Sequence, residues 1–242
     1  MSSCSKWGCA CSKSCETCSN QDPNFLAYAW TNDNRAFVAL ALCRLVCGLG
    51  VTAFAIWSWI EEDEFGRAAI QITNWGLTLV FSYFFAAGLG AWPAKSKAGP
   101  FRDFAIYSSI VLYVTSLCFE TIITILSWAA FNVASLSGPS LGSFITKHAV
   151  LLLLLLLDLA VSRYPTPIHT LAWPLGLYLV YVFAAGMYAI GEGVGPYEML
   201  DGKAGDTVAA VFIGVAILLV TFFVLFYISR AKTRYMKPGL LL

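Results

Sequence analysis

Charge is what this chain has least of. Lys, Arg, Asp and Glu together supply 12% of its 242 residues, about half the share found in soluble domains, which excludes an ordinary water-facing surface. The fifteen basic residues nearly balance the fourteen acids and lie scattered at segment ends, so no basic stripe marks a nucleic-acid partner. Histidine is rarer still, with only His148 and His169. They stand at opposite ends of one apolar segment, which removes the case for a di-histidine metal site, and no metal or other cofactor is expected. There is no G-x-S-x-G elbow and no Walker loop. The run Gly191-x-Gly193-x-Gly195 leads into Pro196-Tyr197 instead of a helix and reads as a flexible loop. Met1 to Asn24 holds no apolar run of seven residues, so no cleavable signal peptide is expected and the first apolar segment would direct insertion.

The rest of the composition is apolar: 59% of the chain is hydrophobic and 15% aromatic. Seven consecutive leucines, Leu151 to Leu157, sit between His148 and Asp158, and the neighbouring segments are equally apolar. A helix apolar on every side needs lipid or a large interior around it, and lipid is the simpler solvent. Spanning helices are expected at residues 37–60, 72–92, 104–131, 144–162, 169–190 and 207–228. The third is longer than a bilayer requires and should tilt or project. The reading is an all-α polytopic membrane protein whose principal partner is the lipid bilayer: a Cys-rich polar tail over residues 1–34, a six-helix transmembrane domain over 35–229 and a basic tail over 230–242.

Six spans put both termini on one side. Eleven Lys and Arg fall on that side, against Arg67, Lys147 and Lys203 on the other. By the positive-inside rule both termini are expected to be cytoplasmic, or matrix or stromal in an organelle. Cys43, Cys47 and Cys118 lie inside spans, where they pack as small hydrophobes. Cys4, Cys9, Cys11, Cys15 and Cys18 crowd the tail. Cys15-x2-Cys18 is a single zinc-type knuckle without a second. Reversible acylation (palmitoylation) beside a membrane segment is one reading of these thiols, and a disordered tail with free thiols is the plainer one.

Ionisable groups inside a span cost about 2.5–3.5 kcal/mol each on insertion scales, so Glu120, His148 and Asp158 should face the bundle interior and find partners. Ten residues separate His148 from Asp158, about 15 Å along a helix, so the two cannot form a direct pair. Asp158 is expected in a deeper interhelical contact, structural in nature. Arg44 either snorkels to the near interface or pairs with an acid on a neighbouring helix, and snorkelling is the simpler expectation. His169, just after a Pro-x-Pro turn, reads as a solvated cap.

The six-span layout puts Thr73, at the start of the second span, and His148, at the start of the fourth, near one membrane boundary, with Glu120 about three turns before the same end of the third. Threonine at a helix start is ordinarily a cap or bonds back to the preceding turn. With a histidine at the same depth it is also a candidate nucleophile with its base.

Three segments together resemble the rolling stone family of six-span membrane proteins and, more distantly, the androgen-induced family of fatty-acid ester hydrolases. They are Ile72-Thr73-Asn74-Trp75-Gly76-Leu77-Thr78-Leu79; His148 with the apolar run, Asp158, Ser162-Arg163, Pro165, Pro167 and His169; and Tyr178 and Tyr181 followed by Pro196-Tyr197-x-x-Leu200-Asp201. The resemblance covers about residues 35 to 232. In the ester-hydrolase branch it implies a threonine nucleophile and a histidine base, roles that fall on Thr73 and His148, with a lipid ester as substrate. The rolling stone branch is associated with cell fusion. Two functions are therefore expected: an intramembrane hydrolase of lipid esters, or a non-catalytic protein acting in fusion, in scaffolding or as an accessory subunit of a larger membrane complex. Small-residue faces such as Ala86-Ala87-Gly88-x-Gly90 suit the helix association that the second needs.

Overall fold

A computed structural model describes residues 34–61, 69, 71–91, 100–130, 138–162, 164–193 and 204–235. The Cys-rich tail, the Glu61–Glu64 acid run beyond Glu61, Arg163 and the loop carrying Pro196 to Asp201 lie outside them. Helix α1 covers Asn34–Glu61, α2 Ile72–Ala91 and α3 Pro100–Ala130. The fourth span is composite: α4 over Gly138–Ile145, a π-turn over Thr146–Val150 and α5 over Leu151–Val161. A 3-10 turn at Ile168–Leu171 leads into α6 over Ala172–Glu192, and α7 covers Ala204–Tyr235. Six of these helical stretches are long and apolar enough to cross a membrane. No strand occurs among the described residues.

Two boundaries differ from the sequence expectation for identifiable reasons. The helix of the fourth span starts at Gly138, six residues before Phe144. Pro139 sits in its first turn, where the missing N–H has no intrahelical partner to lose, so the Ser/Gly-rich stretch enters the helix early. His148 consequently stands well inside the span and not at its start. At the other end of the chain, α7 continues past residue 229 through Arg230 and Lys232 into the basic tail.

Burial assigns the layers. Over an eighteen-residue stretch of spans two and three, 56% and 61% of the residues are buried, against 22–28% in the other four, so α2 and α3 form the centre and the rest surround them. The close approach of α1 to α2 depends on glycine. A Cβ on Gly88 would stand 2.8 Å from the Leu45 side chain and 3.3 Å from the Ala41 carbonyl oxygen. On the α3 side, a Cβ on Gly90 would stand 3.4–3.6 Å from Ile106 and Ala105, in ordinary contact. The small-residue stripe of α2 is therefore filled by helices of its own chain and is not a free face for a partner. The outer faces, with Leu153, Leu156, Leu157, Phe183, Ile190, Phe212 and Val220 exposed, present the aliphatic and aromatic surface that a bilayer covers.

Candidate functional site

Two polar centres occupy the bundle, one toward each end of α2. The first is built on Arg44. Its Nε donates to Asp158 Oδ1 at 3.0 Å, and its Nη2 donates to Asp158 Oδ2 at 3.2 Å and to Ser162 Oγ at 2.6 Å. Tyr83 of α2 donates its hydroxyl to the same carboxylate. Arg44 and Asp158 are 1% and 4% exposed. The arginine does not snorkel, in contrast to the sequence expectation. An acid on α5 reaches it inside the bundle, and a bidentate guanidinium–carboxylate pair satisfies both charges where lipid would leave them unpaired.

Aromatic rings enclose that pair. The Arg44 guanidinium lies 5.5 Å from the Tyr164 ring centroid, and Tyr164 stacks on Tyr113 of α3 at 4.9 Å and 23°. Tyr164 follows α5, and burial pushes its phenol up to about 12. Helix α7 closes the centre from below. Ser229 Oγ donates to the Tyr164 carbonyl at 3.0 Å and accepts from the Thr166 amide at 3.1 Å. Lys232 Nζ donates to the carbonyls of Ser162, at 3.0 Å, and Leu159. Those carbonyls belong to the last turn and the C-cap of α5, where a cation complements both the orphaned acceptors and the helix dipole. Both charges at the heart of this centre are paired, although Nη1 of Arg44 is left without an acceptor. A matched ion pair tied to five elements has the profile of a structural clamp, joining spans one, two, three, four and six.

The second centre has the opposite character. Thr73, one residue into α2, and His148, in the π-turn, are 7% and 6% exposed, and Glu120 of α3 is fully buried. Helices α2 and α3 pack along one another and both touch the π-turn, so these side chains stand on three mutually adjoining elements. Glu120 points at α2: its carboxyl carbon lies 3.3 Å from where a Cβ on residue 76 would stand, and only glycine leaves that space open. Gly76 and Thr73 are three residues apart, neighbours on one face of the helix at about 5–6 Å.

The π-turn sets the histidine. Thr146 Oγ1 bonds back to the Gly142 carbonyl at 2.9 Å, an arrangement that bends helices. Insertion of one residue into the helical ladder re-aims the side chains beyond it, and such turns recur at functional sites. The His148 ring rests on Phe144 at 4.5 Å between centroids, and Phe144 in turn meets Trp128 of α3 at 5.5 Å. His148 Nδ1 is buried with no hydrogen-bond partner, and so are both oxygens of Glu120. The expectation that Glu120 and His148 would find partners inside the bundle is not met for these atoms. Each orphaned neutral polar atom costs about 1–3 kcal/mol. No hydrogen bond joins Thr73 to His148.

Aromatic residues of span five pack on chain neighbours of this centre. Trp75, whose Nε1 donates to the Ala69 carbonyl at 2.9 Å, meets Tyr181 edge-on at 5.7 Å, and Tyr178 meets Phe119 of α3 at 6.3 Å. Tyr178 also donates to the Val211 carbonyl of α7 at 3.4 Å, passing over Gly214, where any side chain would collide with its ring. His148 and Asp158 face different centres, as their ten-residue separation requires. His169 is exposed in the 3-10 turn. Among the described residues no group of three His, Cys, Asp or Glu side chains is placed to hold a metal.

Six spans around a buried polar interior define an integral, multi-pass membrane protein. No protein-family model, curated protein or solved structure matches the chain.

Proposed function

We propose that the chain is an intramembrane hydrolase of lipid esters in which Thr73 is the nucleophile and His148 its base. The observation that carries this reading is the unpartnered, buried Nδ1 of His148, in a π-turn that adjoins the helix bearing Thr73. A histidine kept only for packing would have its polar atom satisfied, because an orphan costs stability and lends nothing. A base awaiting a substrate proton has a reason to carry one. The threonine and histidine of the ester-hydrolase resemblance fall on this pair and support the same roles, and the arginine and lysine asymmetry supports a site in the non-cytoplasmic half of the bilayer. The substrate's acyl chains would lie along the apolar faces of the surrounding helices, entering from the bilayer.

A second reading rests on the burial itself. Thr73 and His148 are both more than nine-tenths buried and do not hydrogen-bond to each other, which suits a packed, non-catalytic protein of fusion or scaffolding, or an accessory subunit. Ester turnover decides between them. Detergent-purified wild type, Thr73→Ala and His148→Ala are incubated with long-chain fatty-acid esters. The hydrolase reading expects wild-type turnover and a loss of at least about a hundredfold in each variant. Variants as fast as wild type, or an inert wild type, leave the non-catalytic reading.

A further inference from the structure

We infer that Glu120 is a third catalytic group of this site, a neutral carboxylic acid that donates its proton in a hydrogen bond to the carbonyl oxygen of the bound ester; the inference rests on the Thr73–His148 reading. Three observations carry it. Glu120 is wholly buried, and neither of its oxygens has a partner. In an apolar interior an isolated carboxylate is far costlier than the acid, so the group that stands there without a counter-ion is the acid, which owns one O–H to donate. And its carboxyl is seated on the bare backbone of Gly76, one turn from Thr73 on the same face of α2, while α3 and α2 both adjoin the His148 turn.

That placement suits the oxygen on which charge develops. The Thr73 oxygen attacks the acyl carbon as His148 takes its proton, and the carbonyl π pair moves onto the oxygen that Glu120 hydrogen-bonds. Collapse of the tetrahedral adduct breaks the bond to the leaving alcohol, which departs with the proton from His148. Water, giving a proton back to His148, then attacks the acyl-threonine through the same adduct, releasing the fatty acid and restoring the threonine hydroxyl. Glu120 keeps its proton throughout. A preorganised donor in a dry site acts on the transition state more than on the ground state. A buried acid in this role has precedent in enzyme sites that hold a carboxylic acid neutral for the same purpose.

The test uses the full chain and a p-nitrophenyl ester of a long-chain fatty acid in mixed micelles, with thermal stability read in parallel. Glu120→Leu removes an orphaned polar group and fills the same volume, so it should melt at or above the wild-type temperature yet lose roughly a hundredfold in kcat with little change in KM. Glu120→Gln, whose amide N–H still donates, should keep turnover within roughly tenfold of wild type. Leucine turnover equal to wild type overturns the inference, as does a glutamine variant that is folded and as slow as leucine. Failure of the inference and failure of the underlying reading are separable. If Thr73→Ala is inactive while Glu120→Leu is fully active, only the role of Glu120 falls; if wild type is inert or Thr73→Ala is fully active, the hydrolase reading falls and takes this one with it.

Discussion

Asp158 offers the sharpest perturbation of the fold. Replacing it with leucine leaves the Arg44 guanidinium buried at 1% exposure, with Ser162 Oγ as its remaining acceptor, and strips Tyr83 of the carboxylate it donates to. Breaking one side of a buried ion pair costs about 3–5 kcal/mol, a large fraction of a typical domain's total stability. Arg44→Met, which leaves the carboxylate with Tyr83 alone, should cost a similar amount. The double variant differs in kind. With both charges gone, the newly orphaned groups are two hydroxyls, Ser162 and Tyr83, at about 1–3 kcal/mol each. The double loss should therefore fall short of the sum of the single losses by about 2 kcal/mol or more. The assay is unfolding of the purified protein from mixed micelles by added dodecyl sulfate, followed by fluorescence of its eight tryptophans. Additivity within about 0.5 kcal/mol would refute the clamp and imply that Arg44 finds water or lipid headgroups instead.

Packing and titration supply two further predictions. Gly76→Ala drives a methyl into the Glu120 carboxyl and Ile123 and should cost about 1–3 kcal/mol in the same assay, whereas Gly50→Ala, with nothing within 4 Å, should be neutral or gain about 0.5–1 kcal/mol. Tyr164 is held above the ordinary phenol value by burial, at about 12. The unfolded chain ionises first, so the stability that a neutral Tyr164 provides is complete below pH 10 and is lost between pH 10 and 12. Tyr164→Phe should lose less stability over that interval than wild type; identical alkaline profiles would place the phenol in water.

Hydropathy made the six spans legible because a bilayer demands about twenty apolar residues of each, and that demand leaves little freedom. The separation of His148 from Asp158 was legible too, since helix rise alone forbids their contact. Partner choice was not. Whether Arg44 snorkels or pairs depends on which face of α5 turns inward, and the aliphatic run around Asp158 gives no amphipathic signal from which to read it. Ser229 and Lys232 carry no local sign of their roles for a related reason: they act on backbone carbonyls of another element, and only the tertiary arrangement shows that the end of α5 lies against them. The π-turn left no mark in the residue pattern of Thr146 to Val150. Its trace is indirect, a threonine able to bond back to Gly142 just before a polar residue in an apolar helix. Gly76 did carry a signal, a glycine in mid-helix where one costs stability, and Glu120 is its reason.

The proposed hydrolase makes Thr73 a nucleophile activated by His148, and labelling with a lipid-like fluorophosphonate, followed by mass-spectrometric mapping of the adduct, tests that at the reacting atom. The expected result is a single phosphonylated residue, Thr73, with no adduct in Thr73→Ala and labelling slowed at least about a hundredfold in His148→Ala. An unlabelled wild type, or an adduct formed equally well without Thr73 or without His148, would contradict it.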